Sequence, residues 1–304
     1  MSLTVKILGS NAATPAHNRN QSAQFLTSDQ EHFLIDCGEA TQIQLIKYKV
    51  KFHKIDFILI SHLHGDHYLG LMGLLLTLHL QRREQDLTIY GPQGLDEIIT
   101  LQLKHSGTTL NYPLHFVTVD PTKNKLILET HSLNVYSIPL VHRVPCSGFL
   151  FKEKPKDRRF DKTLLHSGLT GDDIVKLKHG QDVYNSDGTV KYRSLDYTLP
   201  PRPAVSYAYC SDTKYHPPLV RILEGVDLLY HEATFGKENE IRAAETFHST
   251  TEQAAKIAKA ANAKQLMLGH FSVRYRDLSP LQAEAKEVFQ NTILAIEGES
   301  YEIG

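Results

Sequence analysis

Short apolar or β-branched runs, broken by Gly, Asn, Asp and Pro, dominate the chain. Residues 4–8, 23–27 and 32–35 are such runs and predict three strands. The stretch 42–49 has mixed helical spacing. Residues 55–60, IDFILI, read as a buried strand. Within 70–83, Leu71, Leu74, Leu75 and Leu78 recur at i, i+3, i+4 and i+7, which is one face of a helix. A strand over 87–90 and a helix over 95–105 follow. Further strands are predicted over 114–119, 125–130, 133–138 and 148–151, then over 205–210, 226–230, 265–268 and 293–296. Two helices separate the last three. One starts at Ser249 or Thr250, where a hydroxyl precedes Glu252 and Gln253 in the manner of a capping box. The other starts at Ser279-Pro280, a cap followed by proline at the first helical position. Strands dominate, with two clear helices in each half. The pattern predicts an α+β fold of two sheets packed face to face with helices outside.

Residues 152–203 break the pattern. They run through KEKPKDRRFDK, HSGLTGDD, NSDG and LPPRP, with poor apolar periodicity. Eleven basic and eight acidic residues give this stretch +3. The whole chain, with 33 Lys and Arg against 34 Asp and Glu, carries −1, so the remainder carries −4. A poorly patterned stretch of about 50 residues inside a compact domain is unusual and is often functional.

Composition narrows the class. At 41% hydrophobic and 22% charged, the chain is globular rather than disordered. No apolar run is long enough for a transmembrane helix, and the start, MSLTVKILGS, lacks the parts of a signal peptide. A cytoplasmic protein is expected. Cys37, Cys146 and Cys210 are odd in number and lack CxxC spacing, which excludes a disulfide framework or a thiolate zinc site and predicts small buried hydrophobes. The 17 histidines are the anomaly, since His is the commonest metal ligand.

Residues 61–67, Ser-His-Leu-His-Gly-Asp-His, follow directly on the strand 55–60. His62 and His64 can converge if the chain turns there, and Gly65 permits a turn. Asp66 and His67 then project from the start of the next helix. Packing does not explain four such groups together, because burying polar groups without partners is costly. They are too close in sequence to saturate one tetrahedral ion and split more naturally into two pairs, one per metal. The remaining ligands must come from afar. His142, Asp212 and His270 each stand just beyond an apolar strand and complete two sites. Ligation by N and O without thiolate suits Zn²⁺ or Mn²⁺.

HLHGDH matches the HxHxDH signature of the metallo-β-lactamase fold. The chain more narrowly resembles ribonuclease Z, the endonuclease family that trims tRNA 3′ trailers. LIDCGEATQ (34–42), SHLHGDHYLGLMGLL (61–75), PLVHRVPCSGF (139–149), YCSDT (209–213), HEAT (231–234), HST (248–250) and LGHFSVRY (268–275) all carry the resemblance. It implies one domain over 1–304, an αββα sandwich with an inserted tRNA-binding arm over 152–203. It implies two zinc ions per subunit, with Mn²⁺ as the other candidate. His62, His64 and His142 would hold one, Asp66, His67 and His270 the other, and Asp212 would bridge them. Two metals stabilise the attacking and leaving oxygens of a phosphodiester and turn a bridging water into hydroxide. In this reading Asp66 is also the general base, His248 the general acid oriented by Glu232, and His231 a second group near the phosphate. The product keeps a tRNA 3′-hydroxyl.

Substrate contacts follow from the same resemblance. Lys152, Lys154, Lys156, Arg158, Arg159, Lys176 and Lys178 of the arm are expected at tRNA phosphates. His17, Arg19 and Asn20 belong to a loop resembling the family's PxKxRN segment, which senses the tRNA 3′ end, with His17 where Lys is usual. A homodimer is implied, the arm of one subunit serving the site of the other. The alternative is a small-molecule phosphodiesterase or arylsulfatase-like metallo-hydrolase of the same fold, against which HEAT, HST and the arm argue.

Overall fold

The computed structural model describes residues 3–304. They form two compact units, one reaching to residue 152 and resuming at 205, the other spanning 153–204. In chain order the strands are β1 (Leu3–Gly9), β2 (Ala23–Ser28), β3 (Glu31–Ile35), β4 (Phe57–Leu59), β5 (Leu87–Gly91), β6 (Leu114–Thr118), β7 (Leu126–Glu129), β8 (Leu133–Pro139) and β9 (Ser147–Glu153). The smaller unit carries β10 (Arg159–Phe160), β11 (Val183–Tyr184), β12 (Val190–Tyr192) and β13 (Thr198–Leu199). Then come β14 (Ser206–Cys210), β15 (Leu228–Glu232), β16 (Gln265–Gly269), β17 (Thr292–Leu294) and β18 (Ser300–Ile303).

In the larger unit, one seven-stranded sheet runs β18-β1-β2-β3-β4-β5-β6 and the other β17-β16-β15-β14-β9-β8-β7. Each sheet is antiparallel on one side and parallel on the other. β3 to β6 pair in parallel, as do β14 to β17. The apolar faces of the two sheets meet in a core built from Val5, Ile7, Phe33, Phe149, Phe151 and Tyr207 among others. Phe33 and Phe151 cross this seam edge to face, with ring centroids 5.5 Å apart. The first sheet's outer face packs on helices through Leu71, Leu74, Leu75 and Leu78, the expected stripe, all fully buried. The second packs on the helices Thr251–Ala260 and Ser279–Val288 through Ala254, Ala258, Leu281 and Ala285. The four layers are the αββα order of a metallo-β-lactamase fold. Among the described residues no helix is long and apolar enough to cross a membrane.

Several local expectations change. Thr250, not Ser249, caps its helix, with a full capping box to Gln253. Ser279 lies inside its helix, and the Asp277 carboxylate accepts its N–H at 2.9 Å. Strand β18 and the helix Glu240–Thr246 lie outside the sequence reading. The strand expected over 55–60 shortens to Phe57–Leu59, which frees 60–64 to curve toward the pocket.

The smaller unit is more ordered than its composition suggests. Its helix Gly171–Lys178 is capped by a box in which the Thr170 hydroxyl and the Asp173 carboxylate each accept the other's backbone N–H. Asp173 therefore has a structural task. Leu177 and Val183 are buried, and the Ser194 hydroxyl donates to the Leu177 carbonyl at 2.7 Å. Tyr192 and Tyr197 meet at 5.1 Å. The strands here, of two or three residues each, are too short to produce a readable period.

A glycine contact locks the site's floor. A Cβ on Gly70 would lie 2.1 Å from the Gly38 carbonyl oxygen. Gly70→Ala should therefore destabilise the fold by about 1–3 kcal/mol through overpacking, read as a lower midpoint in urea unfolding. An unchanged midpoint would contradict this packing.

Candidate metal centre

The pocket lies beyond the carboxyl ends of the parallel strands, where open α/β sheets place their ligand sites. Asp36 follows β3, Ser61 to His67 follow β4, Asp212 follows β14, Glu232 ends β15 and His270 follows β16. His142 comes just after β8. Asp36 and His270 both hold positive φ, 55° and 58°, so each strand end bends sharply to deliver its side chain.

The seven expected ligands converge in two sets. In the first, His62 Nε2 and His142 Nε2 lie 3.0 and 3.1 Å from His64 Nδ1, and each lies 3.6 Å from Asp212 Oδ2. In the second, His67 Nε2 lies 3.4 Å from both Asp66 Oδ2 and Asp212 Oδ1. His270 Nε2 lies 3.5 and 3.2 Å from the same two oxygens. Asp212 thus offers one oxygen to each set. A tetrahedral ion with bonds of about 2.0–2.1 Å needs ligand atoms about 3.3 Å apart, and both sets match that spacing. The buried Nε2 atoms of His67 and His270 have no hydrogen-bond partner in the protein. These are donor atoms suited to a divalent cation.

Outer hydrogen bonds aim four of the five rings. His67 Nδ1 donates to Asp36 at 2.7 Å, His142 Nδ1 to the Phe247 carbonyl at 3.0 Å, and His270 Nδ1 to the Thr234 hydroxyl at 2.9 Å. His62 Nδ1 donates to Ser61 Oγ at 3.0 Å. Each turns its Nε2 lone pair inward. Asp36 also accepts from the Ser61 N–H and hydroxyl and from the Tyr209 hydroxyl, at 2.7, 2.9 and 2.7 Å. Its segment, LIDCGEATQ, marks the resemblance, yet nothing in spacing distinguishes Asp36 as the anchor of His67.

The electrostatics favour positive charge in the pocket. Burial would lower His67, but Asp212, Asp66 and Asp36 raise it well above the usual histidine range. Burial would likewise raise Asp66 and Asp212, yet the surrounding imidazoles hold both well below the usual carboxylate range. His62 is lowered, first by burial and then by His67.

Glu232 and His248 form a second pair beside the ligands. Glu232 is fully buried, and its Oε1 accepts from His248 Nδ1 at 2.8 Å and from the Thr213 N–H at 3.0 Å. Its Oε2 accepts from the Thr234 N–H and hydroxyl at 3.1 and 2.8 Å. Burial opposes protonation of His248, and the Glu232 carboxylate overcomes it, raising the ring to about 9. His231 does not join them. It alternates to the opposite face of β15, its Nδ1 bonded to the Glu232 carbonyl at 2.7 Å. The strand period of two, read along HEAT, already implies that His231 and Glu232 point apart.

A cleft of about 580 Å³ opens over the ligands. Arg143, Arg242 and Arg274 line it, the last stacked 5.5 Å over Phe235. None of these arginines was distinguishable from sequence. Of the loop residues expected to touch substrate, His17, Arg19 and Asn20 each bond to other parts of the chain. In the smaller unit Lys176 is exposed and Lys178 half-buried on one helix, while Lys156 pairs with Glu153 at 2.6 Å. Lys154 is half-buried. Arg158 donates to the Thr198 hydroxyl at 2.6 Å and Arg159 to the Pro200 carbonyl at 3.1 Å. In the larger unit Lys152 is exposed, 5.8 Å over the Tyr136 ring.

The carboxylate behind His67 sets that ring's direction. Asp36→Asn should weaken divalent metal binding about 10–100-fold, measured by competition with a chromogenic chelator. An unchanged affinity would show that Asp36 does not orient the ring.

Comparison with known proteins agrees with this geometry. Residues 3–171 match the family described as Anti-Pycsar protein Apyc1, and residues 173–271 match the β-lactamase superfamily domain. The chain is 48% identical to a ribonuclease Z of Cytophaga hutchinsonii, over 99% of this chain and 96% of the relative. It is 42% identical to a ribonuclease Z of Parabacteroides distasonis, over 97% of each. The crystal structure of the short form of human tRNase Z superposes with a TM-score of 0.71 at 30% identity, covering 99% of both chains. The chain belongs to the ribonuclease Z family of the β-lactamase superfamily.

Proposed function

We propose that this chain is a metal-dependent endoribonuclease that removes 3′ trailers from precursor tRNA in the cytoplasm. The observation that carries the reading is the convergence of seven ligand side chains into two sets sharing Asp212, beside a His248–Glu232 pair. Two divalent cations, zinc in our assignment, would be held by His62, His64, His142 and Asp212 and by Asp66, His67, His270 and Asp212. When bound they supply polarisation of the scissile phosphate and acidification of the attacking water.

The protein's own groups do the rest. Water attacks phosphorus, and Asp66, at the cleft floor, orients it and takes its proton. The P–O3′ bond breaks, and the leaving O3′ takes the proton of His248, which Glu232 keeps charged near neutrality. The upstream tRNA ends in a 3′-hydroxyl and the trailer carries the phosphate.

The +3 segment 152–203 serves as the tRNA-binding arm, Lys152, Lys154, Lys156, Arg158, Arg159, Lys176 and Lys178 supplying its phosphate contacts. The enzyme works as a homodimer, the arm of one subunit serving the other's cleft. Exposed Ile43 and Ile46, three apart on the helix Thr41–Lys47 of the larger unit, support a protein contact on that helix face.

His248→Ala should keep both cations and lower kcat on precursor tRNA about 10²–10⁴-fold, whereas Asp66→Ala should abolish cleavage. Loss of bound metal in the His248 variant would rule out its role as acid. Deleting 155–201 should weaken tRNA binding and flatten its dependence on salt, yet spare hydrolysis of bis(p-nitrophenyl) phosphate. Loss of both activities would make the arm structural.

A further inference from the structure

The segment between β1 and β2, residues 10–22, reaches into the metal centre by its backbone. The Ala13 N–H donates to Asp66 Oδ2 at 2.8 Å. This is the same oxygen that faces His67 and His270. Ala13 itself holds a positive φ of 56°, a conformation a non-glycine residue keeps only when its surroundings impose it. The surroundings do so. Gln21 Nε2 donates to the Ala13 carbonyl at 2.7 Å, and Gln21 Oε1 accepts the Glu39 N–H at 2.8 Å. The Ala12 N–H donates to the Phe271 carbonyl at 2.9 Å, beside His270.

The polar side chains of the same loop are also committed to the chain. Arg19 spreads its guanidinium over the Tyr275 and Arg276 carbonyls, while its Nε donates to Asn11 Oδ1 at 3.0 Å. Asn11 Nδ2 in turn donates to the Thr14 carbonyl at 2.6 Å. Asn20 gives its backbone and side-chain N–H groups to Glu297 at 2.6 and 2.9 Å. His17 Nε2 lies 2.8 Å from the Val273 carbonyl. One connected set of hydrogen bonds therefore runs from Arg19 through Asn11 and Thr14 to the loop that holds Asp66.

We propose that residues 11–20 are a positioning device for Asp66. The Ala13 N–H fixes the rotation of its carboxylate, and Arg19 is a positioning residue that braces the loop rather than a contact to RNA. The inference rests on the proposed role of Asp66, and it redefines Arg19 and Asn20. Only Arg, with a planar fork of five donors, can serve two carbonyls and an amide oxygen together; Lys, a point donor, cannot.

The test uses full-length enzyme in saturating zinc. L-lactate placed at position 13 by nonsense suppression replaces the N–H with an ester oxygen and keeps the side chain, weakening besides only the Ala12 carbonyl as an acceptor for the Thr14 N–H. It should lower kcat on bis(p-nitrophenyl) phosphate about tenfold or more with KM unchanged, the size of a hydrogen bond to a charged group. Arg19→Ala and Arg19→Lys should both lower kcat on that small diester. In metal-free protein, amide exchange over residues 11–20 should accelerate in Arg19→Ala and in Asp66→Ala. The proposal is overturned if the ester keeps full kcat, or if exchange is unchanged in both variants. It is equally overturned if Arg19→Ala raises only KM for precursor tRNA and Arg19→Lys restores it. The diester has no tRNA 3′ end, so these results stand apart from the RNA assignment. Wild-type enzyme that splits the diester but leaves precursor tRNA uncut would sink that assignment alone.

Discussion

Asp212 is buried between two groups of imidazoles and gives one carboxylate oxygen to each. A buried carboxylate of this kind is costly unless positive charge surrounds it. The two sheets meet with their parallel strands ending on the same edge, and β4, β14 and β16 each hand over their ligands one to eight residues past their ends. His142 arrives from the other side of the second sheet. A fold with fewer strand ends at one edge could not gather seven groups so separated in sequence.

The second constraint is direction. An imidazole can bind through either nitrogen, so the outer hydrogen bonds decide which lone pair faces inward. Asp36, Thr234, Ser61 and the Phe247 carbonyl make that choice for four rings. Thr234 does more, since its hydroxyl also donates to Glu232, which holds His248. Ligand orientation and the acid's charge are thus tied through one hydroxyl. The loop at Ala13 extends the same logic to Asp66, this time from the backbone.

The ligands were legible because HLHGDH concentrates four of them in six residues, and because His142, Asp212 and His270 each follow an apolar strand. The leucine stripe of 71–78 and the capping box at Thr250 were legible for the same reason: their periods are local. What was hidden is relational. Asp36 matters through a ring 31 residues away and through Ser61 and Tyr209, and Arg143, Arg242 and Arg274 meet at one cleft only in the folded chain. Arg19 and Asn20 are expected as substrate contacts through the resemblance of their loop to PxKxRN, which says nothing of where their side chains bond, and their partners lie at 275–276 and 297. His231 shows the opposite case, where the strand period held the answer and motif proximity obscured it. The strands of 153–204 escaped notice because two- and three-residue strands carry no period at all.

The most direct measurement is nucleotide-resolution mapping of the products formed from a precursor tRNA by the zinc-loaded protein. One cut is expected at the 3′ side of the acceptor stem, leaving a 3′-hydroxyl on the tRNA and a 5′-phosphate on the trailer. Cleavage at scattered sites, a 3′-phosphate on the tRNA, or hydrolysis confined to small phosphodiesters would contradict it.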